Sequence, residues 1–477
     1  MSDGGLYIDG RLRSAKGGGV RSIVSPATGE EVGTIAWATS DDCEDALESA
    51  RRGFARWSKL SHNERRQWTD RLCTALEERS DAFHQAVMAE TGKPHDEADR
   101  IEWVTGALRH YSDEMLRMRG EVIPDDDGSC THQVTYEPLG VVVALLAWNF
   151  PLGNLADKVG QSLAAGCSII VKPSPSAPLS AYLFGSVCAE IDFPAGVINV
   201  LCGDTEDIGS ALVSSPIPAL ITMIGSTASG CRVMRDGAAT VKRYNLELGG
   251  NVPALVFEDA DVESAMDSIA ALKLWNAGQI CVATNRALIH ESIFDECIDA
   301  LLKRFRDVRL GTGTGPGWMG PLIDGAAVDR VNDLVSDAVE KGAKVIFGGA
   351  SGPPMPPPKG HYFPPTILTG LTTDMRIWSE EVFGPVLAIR TFTDEDDASS
   401  LANDTEKGLT AHLFTKNIDR VQRLSTSLRF GEVMVNGWKF NAYLPHHGIG
   451  QSGVGIDRSH LGLEQFLSRK RITIKTG

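Results

Sequence analysis

A chain of 477 residues exceeds what one hydrophobic core normally organises, so two or three domains sharing a cleft are expected. Hydrophobic residues make up 42% and charged residues 23%, an ordinary globular balance that excludes a disordered or fibrous chain. With 62 Asp and Glu against 46 Lys and Arg, the net charge of −16 repels nucleic-acid phosphates and acidic membrane surfaces, which argues against both as partners.

The N-terminal MSDGGLYIDGRLRSAKGGG has neither a basic start followed by an apolar run nor an arginine-rich amphipathic pattern, and no apolar run reaches membrane-spanning length. A cytoplasmic location with reduced thiols is therefore expected. From Asp41 to about Glu114, apolar residues at three-and-four spacing in DDCEDALESARRGFARW and RRQWTDRLCTALEER predict surface helices. Val134 to Pro138 reads as a short strand. The continuous apolar run Gly140 to Ala147 reads as a strand buried on both faces.

Strand and helix then alternate through GCSIIVKPS, SAYLFGSVCAEI, GVINVLCG, DIGSALVSS and ALITMIGS, which implies right-handed crossovers and a parallel, Rossmann-like sheet. The turns VKPSPS and IGSTASG fall at the carboxyl ends of its strands, where such sheets bind nucleotides. A second alternating region from Leu248 runs through PALVF, RALIH, IFDECIDALLKRFRDV, DRVNDLVSDAVEKGA, KVIFGG and PVLAIRTF. The stretch GGASGPPMPPPKGHYFPP is an exposed loop within that region. The tail RKRITIKTG is β-prone with no local partner, so it either augments a neighbouring subunit or forms an edge within its own chain.

Nine scattered cysteines without a CxxC pair predict neither a disulfide framework nor a zinc site, and no metal is expected. Cys167, in LAAGCSIIV, reads as a small buried hydrophobe. In NAGQIC, Cys281 follows small and polar residues, a context open to a nucleophile and equally to an inert buried thiol. Glu247, in LELGGN, precedes two glycines and is either a cleft carboxylate or half of a surface ion pair. Asn149, in WNFP, is either an oxyanion donor or a helix cap ahead of proline.

Together, WNFP, VKPS, IGSTASG, LELGGN, NAGQICVATNR, EEVFGP and GIGQSGVG follow the order found in the aldehyde dehydrogenase superfamily, and the chain resembles that family over almost its whole length. The spacing of 34 residues from Glu247 to Cys281 also matches. The resemblance implies an α/β protein with a Rossmann-like NAD(P) domain over 1–119 and 139–247, a catalytic α/β domain over 248–456, and a small β oligomerisation element over 120–138 and 457–477. It implies a homodimer or homotetramer.

By the same resemblance, Cys281 is the nucleophile that forms a thiohemiacetal, with the Asn149 amide and the Cys281 N–H on the oxyanion. Hydride passes to NAD or NADP, and Glu247 is the general base for thioester hydrolysis. Trp148, Lys172, Ser174, Gly225, Ser226, Glu381 and Phe383 are implied as cofactor contacts, with phosphate at a helix start. Pro175 stands where many NAD-preferring relatives carry a glutamate that bars NADP, so NAD is expected first with NADP open. Gly450 replaces a lysine common in the C-terminal motif.

The implied substrate tunnel is lined by Asp99, Trp103, Asn154, Asp157, Trp275, Ile280, Lys439 and His446. Many of these are polar, which points to a short polar aldehyde or semialdehyde, because an unpaired buried charge costs several kcal/mol, roughly, in an apolar tunnel. Lys439 or His446 could hold an anionic end. The structural alternative pairs Asp99 and Asp157 with neighbours such as Arg100 or Lys158. Three other functions are weighed: a cysteine esterase needing no nicotinamide, a CoA-acylating dehydrogenase, disfavoured by Glu247, and a binding protein, disfavoured by the intact set Cys281, Asn149, Glu247 and Glu381.

Overall fold

In the computed structural model, which describes residues 4–350, 352–354, 357 and 359–475, the apolar run after Gly140 becomes the strand Val141–Leu145. It lies in the middle of a parallel array, with Ser168–Lys172 and then Ile198–Val200 on one side and Pro218–Gly225 and then Arg243–Leu248 on the other. Burial on both faces explains the unbroken apolar sequence: Val142, Val143, Ile169, Ile170 and Ile221 are all fully inaccessible. Each such side chain contributes roughly 1.5–3 kcal/mol of burial. Strand order reverses between Val141–Leu145 and Pro218–Gly225, which opens a crevice beyond their carboxyl ends. Two antiparallel segments, Leu6–Ile8 and Gly453–Val454, extend the array on its two sides, so the chain returns to the first sheet near its end.

The second sheet has Pro253–Val256 and Arg286–His290 at its centre, flanked by Val386–Phe392 and Thr366–Thr369 on one side and Thr410–Phe414 and Glu432–Val435 on the other. All these neighbours are parallel; Lys344–Phe347 joins the edge antiparallel. Of the loop expected over 348–365, residues 351, 355, 356 and 358 lie outside the described residues.

One expectation needs correction, and the tail finds a partner within its own chain. The helix Ile101–Met115 is not confined to the surface: it buries Ile101, Val104, Leu108 and Tyr111 and packs along Pro151–Ala165, a helix in which nearly every side chain is buried. The tail strand Leu467–Lys475 pairs antiparallel with Cys130–Pro138 of its own chain along its full length, which also lengthens the short strand expected there. Glu121–Ile123 completes this third sheet, which exposes Val122, Ile123, Ile472 and Ile474. No helix among the described residues is long and apolar enough to cross a membrane.

Candidate active site

The helix Val262–Leu274 ends in a tight turn, Trp275–Gly278, where Asn276, Ala277 and Gly278 take φ of 51°, 52° and 71°. Left-handed backbone at a non-glycine residue costs about 1–3 kcal/mol, so surrounding bonds must hold it. Asn276 donates from Nδ2 to Asn149 O and Gln279 O (3.1 and 3.2 Å), and its N–H donates to Glu97 Oε2 at 2.9 Å. Gln279 donates to Asn276 O and Pro321 O and accepts from Ile323 N–H. The next turn presents Cys281 half-buried, whereas Cys43, Cys73, Cys167, Cys188, Cys202 and Cys297 are fully enclosed.

The two glycines of LELGGN permit this approach. A Cβ on Gly250 would meet Cys281 O at 2.5 Å, and one on Gly249 would meet Glu381 Oε2 at 2.0 Å. Glu247 is the penultimate residue of the strand Arg243–Leu248 and is buried, with Oε1 3.2 Å from His446 Nε2. Cys281 Sγ, a Glu247 oxygen and a ring nitrogen of His446 lie within 4.8 Å of one another. Asn149 is buried beside them and its Nδ2 donates to Gln279 O at 3.1 Å.

The crevice of the first sheet holds the groups expected to meet a nucleotide. Ser226 caps the helix Thr227–Asp236, its Oγ accepting from Ser229 N–H at 3.2 Å, directly after Gly225. Lys172 ends its strand with a buried side chain, and among the described residues its ammonium has no hydrogen-bond or ion-pair acceptor. Ser174 accepts from Ser176 N–H in the following turn. Trp148 and Phe383 meet edge-to-face at 5.6 Å. Glu381 accepts from Gly250 N–H at 3.2 Å, and burial pushes its carboxyl up to about 7 against the pull of Lys407 and Arg330. An unpaired cation, a free helix start and an aromatic pair in one crevice fit a dinucleotide.

The tunnel expectation fares less well. Asp99 is wholly buried and accepts from Lys93 Nζ (2.9 Å) and from Leu152 and Gly153 N–H (3.0 and 3.1 Å). It caps the helix Pro151–Ala165 and faces no substrate; its partner is Lys93, not Arg100. Asp157 likewise accepts from Tyr111 Oη and Arg458 Nε (2.9 and 3.0 Å), while Lys158 pairs with Asp457. Asn154 spends its amide on Ala147 O and Asn149 Oδ1, both at 3.3 Å, so it orients Asn149 and does not line a wall.

Trp103 is exposed. Trp275 and Ile280 do stand by the nucleophile, where Phe150, Phe440 and Cys281 share one apolar cluster. Trp275 meets Phe150 at 5.3 Å and stacks on Trp438 at 6.1 Å, and Trp438 stacks on Phe440 at 5.7 Å. Lys439 is exposed, its ammonium 5.9 Å from the Tyr443 ring centroid. His446 is buried between Glu432 Oε1 (2.6 Å from Nδ1) and Glu247 Oε1 (3.2 Å from Nε2). Both ring nitrogens face carboxylates, so it cannot also hold an anionic end. The roles of Glu432, Asn276, Gln279 and Lys407 depend on packing, including contacts such as Asn276 with Asn149 and Lys407 with Thr227 that are distant in the chain.

The family model for the aldehyde dehydrogenase family matches residues 13–472. The chain belongs to the aldehyde dehydrogenase family. It is 38% identical to a mitochondrial succinate-semialdehyde dehydrogenase of Oryza sativa subsp. japonica, over 98% of this chain and 88% of that one. It is 34% identical to the NADP(+) succinate-semialdehyde dehydrogenase GabD of Escherichia coli, over 99% of both. A solved betaine aldehyde dehydrogenase of Staphylococcus aureus in complex with NAD+ superposes with a TM-score of 0.94 at 30% identity, covering 99% of this chain and 95% of that one. The protein is an NAD(P)-dependent aldehyde dehydrogenase with a Rossmann-like and a catalytic α/β domain.

In this aldehyde dehydrogenase the backbone at position 450 favours glycine. Gly450 takes φ of 58°, and a Cβ there would meet Glu406 O at 2.7 Å, so a side chain is excluded. Its register partner is Lys407, whose ammonium bonds the Thr227 hydroxyl at the nucleotide crevice. A cation thus reaches the crevice from the strand paired with Gly450.

Proposed function

We propose that the enzyme oxidises a short polar aldehyde whose far end is neutral or cationic, through Cys281, Asn149 and Glu247. The observation that carries the mechanism is the meeting of the half-buried Cys281 thiol and the Glu247 carboxylate within 4.8 Å. Cys281 Sγ attacks the carbonyl carbon and forms a thiohemiacetal. The Asn149 Nδ2, released from Gln279 O, and the Cys281 N–H stabilise the oxygen that gains charge. A bound nicotinamide would supply the hydride acceptor for that carbon. Glu247 then takes a proton from water as it attacks the thioester, and the C–S bond breaks to release the acid. Trp148, Lys172, Ser174, Gly225, Ser226, Glu381 and Phe383 hold the dinucleotide, NAD first, with NADP also accepted because no carboxylate stands at Pro175.

The wall formed by Trp275, Trp438, Phe440 and Phe150 supports the substrate reading, since aromatic faces attract ammonium groups and give a carboxylate nothing. The exposed apolar residues of the third sheet support assembly of a homo-oligomer across it. Initial rates on short aminoaldehydes, hydroxyaldehydes, anionic semialdehydes and alkyl aldehydes, each with NAD and with NADP, test the proposal. The highest kcat/KM is expected on an amino- or hydroxyaldehyde. A best substrate among long alkyl aldehydes or anionic semialdehydes overturns it.

A further inference from the structure

The imidazole of His446 sits at the reacting sulfur, and the substrate assignment from the sequence leaves its position unexplained. A ring nitrogen of His446 lies within 4.8 Å of Cys281 Sγ; its Nε2 is 3.2 Å from Glu247 Oε1 and its Nδ1 is 2.6 Å from Glu432 Oε1. Glu432 is itself oriented, because its other oxygen accepts from Thr410 Oγ1 at 3.1 Å. The His446 backbone is pinned by reciprocal N–H to O bonds with Asp457, at 2.8 and 2.7 Å. A thiol beside an imidazole that is hydrogen-bonded to a carboxylate makes a nucleophile, a charged ring and an orienting group.

We propose that His446 is a further catalytic residue, an imidazolium clamped by Glu432 and Glu247 that stabilises the Cys281 thiolate both when it attacks and when it leaves. The inference rests on Cys281 being the nucleophile. The proton balance closes without any outside reagent. The ring is already charged, so the thiol proton goes to solvent, and the thiolate then forms the C–S bond. During hydrolysis that bond breaks, and the electron pair returns to a sulfur that faces the same imidazolium.

The surrounding charges act in the required sense. Burial alone would lower the His446 ring, but Glu247 and Glu432 override it and hold the ring charged well above the usual histidine range. Burial raises the Cys281 thiol, Glu247 and Glu381 add to that, and His446 is the group that opposes it. Burial also raises Glu432, yet His446 holds it below the usual carboxylate range, with Arg458 assisting. The remaining nearby charges are engaged elsewhere: Asp457 with Lys158 and Asn245, and Arg458 with Asp157.

The test is the pH profile of Cys281 alkylation by iodoacetamide, read on the Cys281 peptide by mass spectrometry, with chelator present and with neither aldehyde nor nucleotide. In H446Q the midpoint is expected to rise by at least about one pH unit, so that the rate near pH 7 falls about tenfold. E432Q is expected to shift the profile the same way by less, and it reports independently if H446Q does not fold. Profiles of either folded variant superimposable on that of the unsubstituted enzyme overturn the proposal. Because no oxidation is measured, loss of the dehydrogenase reading and loss of this one are separate outcomes.

Discussion

Replacing Asp99 with alanine distinguishes a helix cap from a substrate ligand. In the structure its carboxylate neutralises Lys93, whose side chain is 1% exposed, and satisfies two N–H groups at the start of Pro151–Ala165. Leaving a buried charge without its partner costs about 3–5 kcal/mol. Each orphaned N–H adds about 1–3 kcal/mol. The Lys93 ammonium keeps its contact with the Phe150 ring, 3.9 Å from the centroid, in both proteins, so that contact cancels in the difference. A net loss of at least about 5 kcal/mol follows for D99A. D99N, which can still accept from the helix, should lose about 3 kcal/mol. Urea unfolding followed by tryptophan fluorescence reads this as a lowered first midpoint, alongside KM for the aldehyde on the folded fraction. An unchanged midpoint together with a raised aldehyde KM would refute the capping role and restore Asp99 to the tunnel.

Three further outcomes are expected. Asn154→Ala frees the Asn149 amide from its orienting bond, so kcat should fall by about tenfold while KM for aldehyde stays within about twofold; a KM effect alone would return Asn154 to the substrate wall. Lys172→Met removes the unpaired cation of the crevice and should raise KM for both nucleotides about tenfold at similar kcat. Glu90 is fully buried, and burial holds its carboxyl at about 8 against an ordinary 4.5. Its folded form binds the proton more tightly than the unfolded chain, so the stability it gives is complete below pH 4.5 and is lost as pH rises through about 8. Urea midpoints across this window should fall less steeply in E90Q, and parallel slopes in both proteins would contradict the assignment.

Much of the architecture is legible in the sequence because burial on two faces leaves a signature. GVVVALLA and GCSIIVKPS can only be central strands, and the alternation around them dictates the parallel array and its crevice. Cys281, Glu247 and Asn149 become legible only together, since each string alone admits an inert reading. What escapes the sequence is tertiary pairing. The Asp99 partner Lys93 is near in the chain, yet the helix it caps begins more than fifty residues later. Asp157 meets Arg458 and Lys158 meets Asp457 across separations of 301 and 299 residues. A polar residue read from sequence as facing substrate is therefore as readily one that satisfies a distant buried charge. His446 shows the reverse case: the pair His446–His447 in LPHHG marks the position, but only the fold brings Glu247, Glu432 and Cys281 around it.

The central claim is that Cys281 carries the oxidation, and the C281S variant tests it most directly, with NAD(P)H formation followed by absorbance and nucleotide binding by calorimetry on the same preparation. Sulfur's replacement by a far less acidic hydroxyl should abolish most NAD(P)H formation while nucleotide affinity stays within about twofold of the unsubstituted enzyme. An undiminished rate of NAD(P)H formation in C281S would contradict the account.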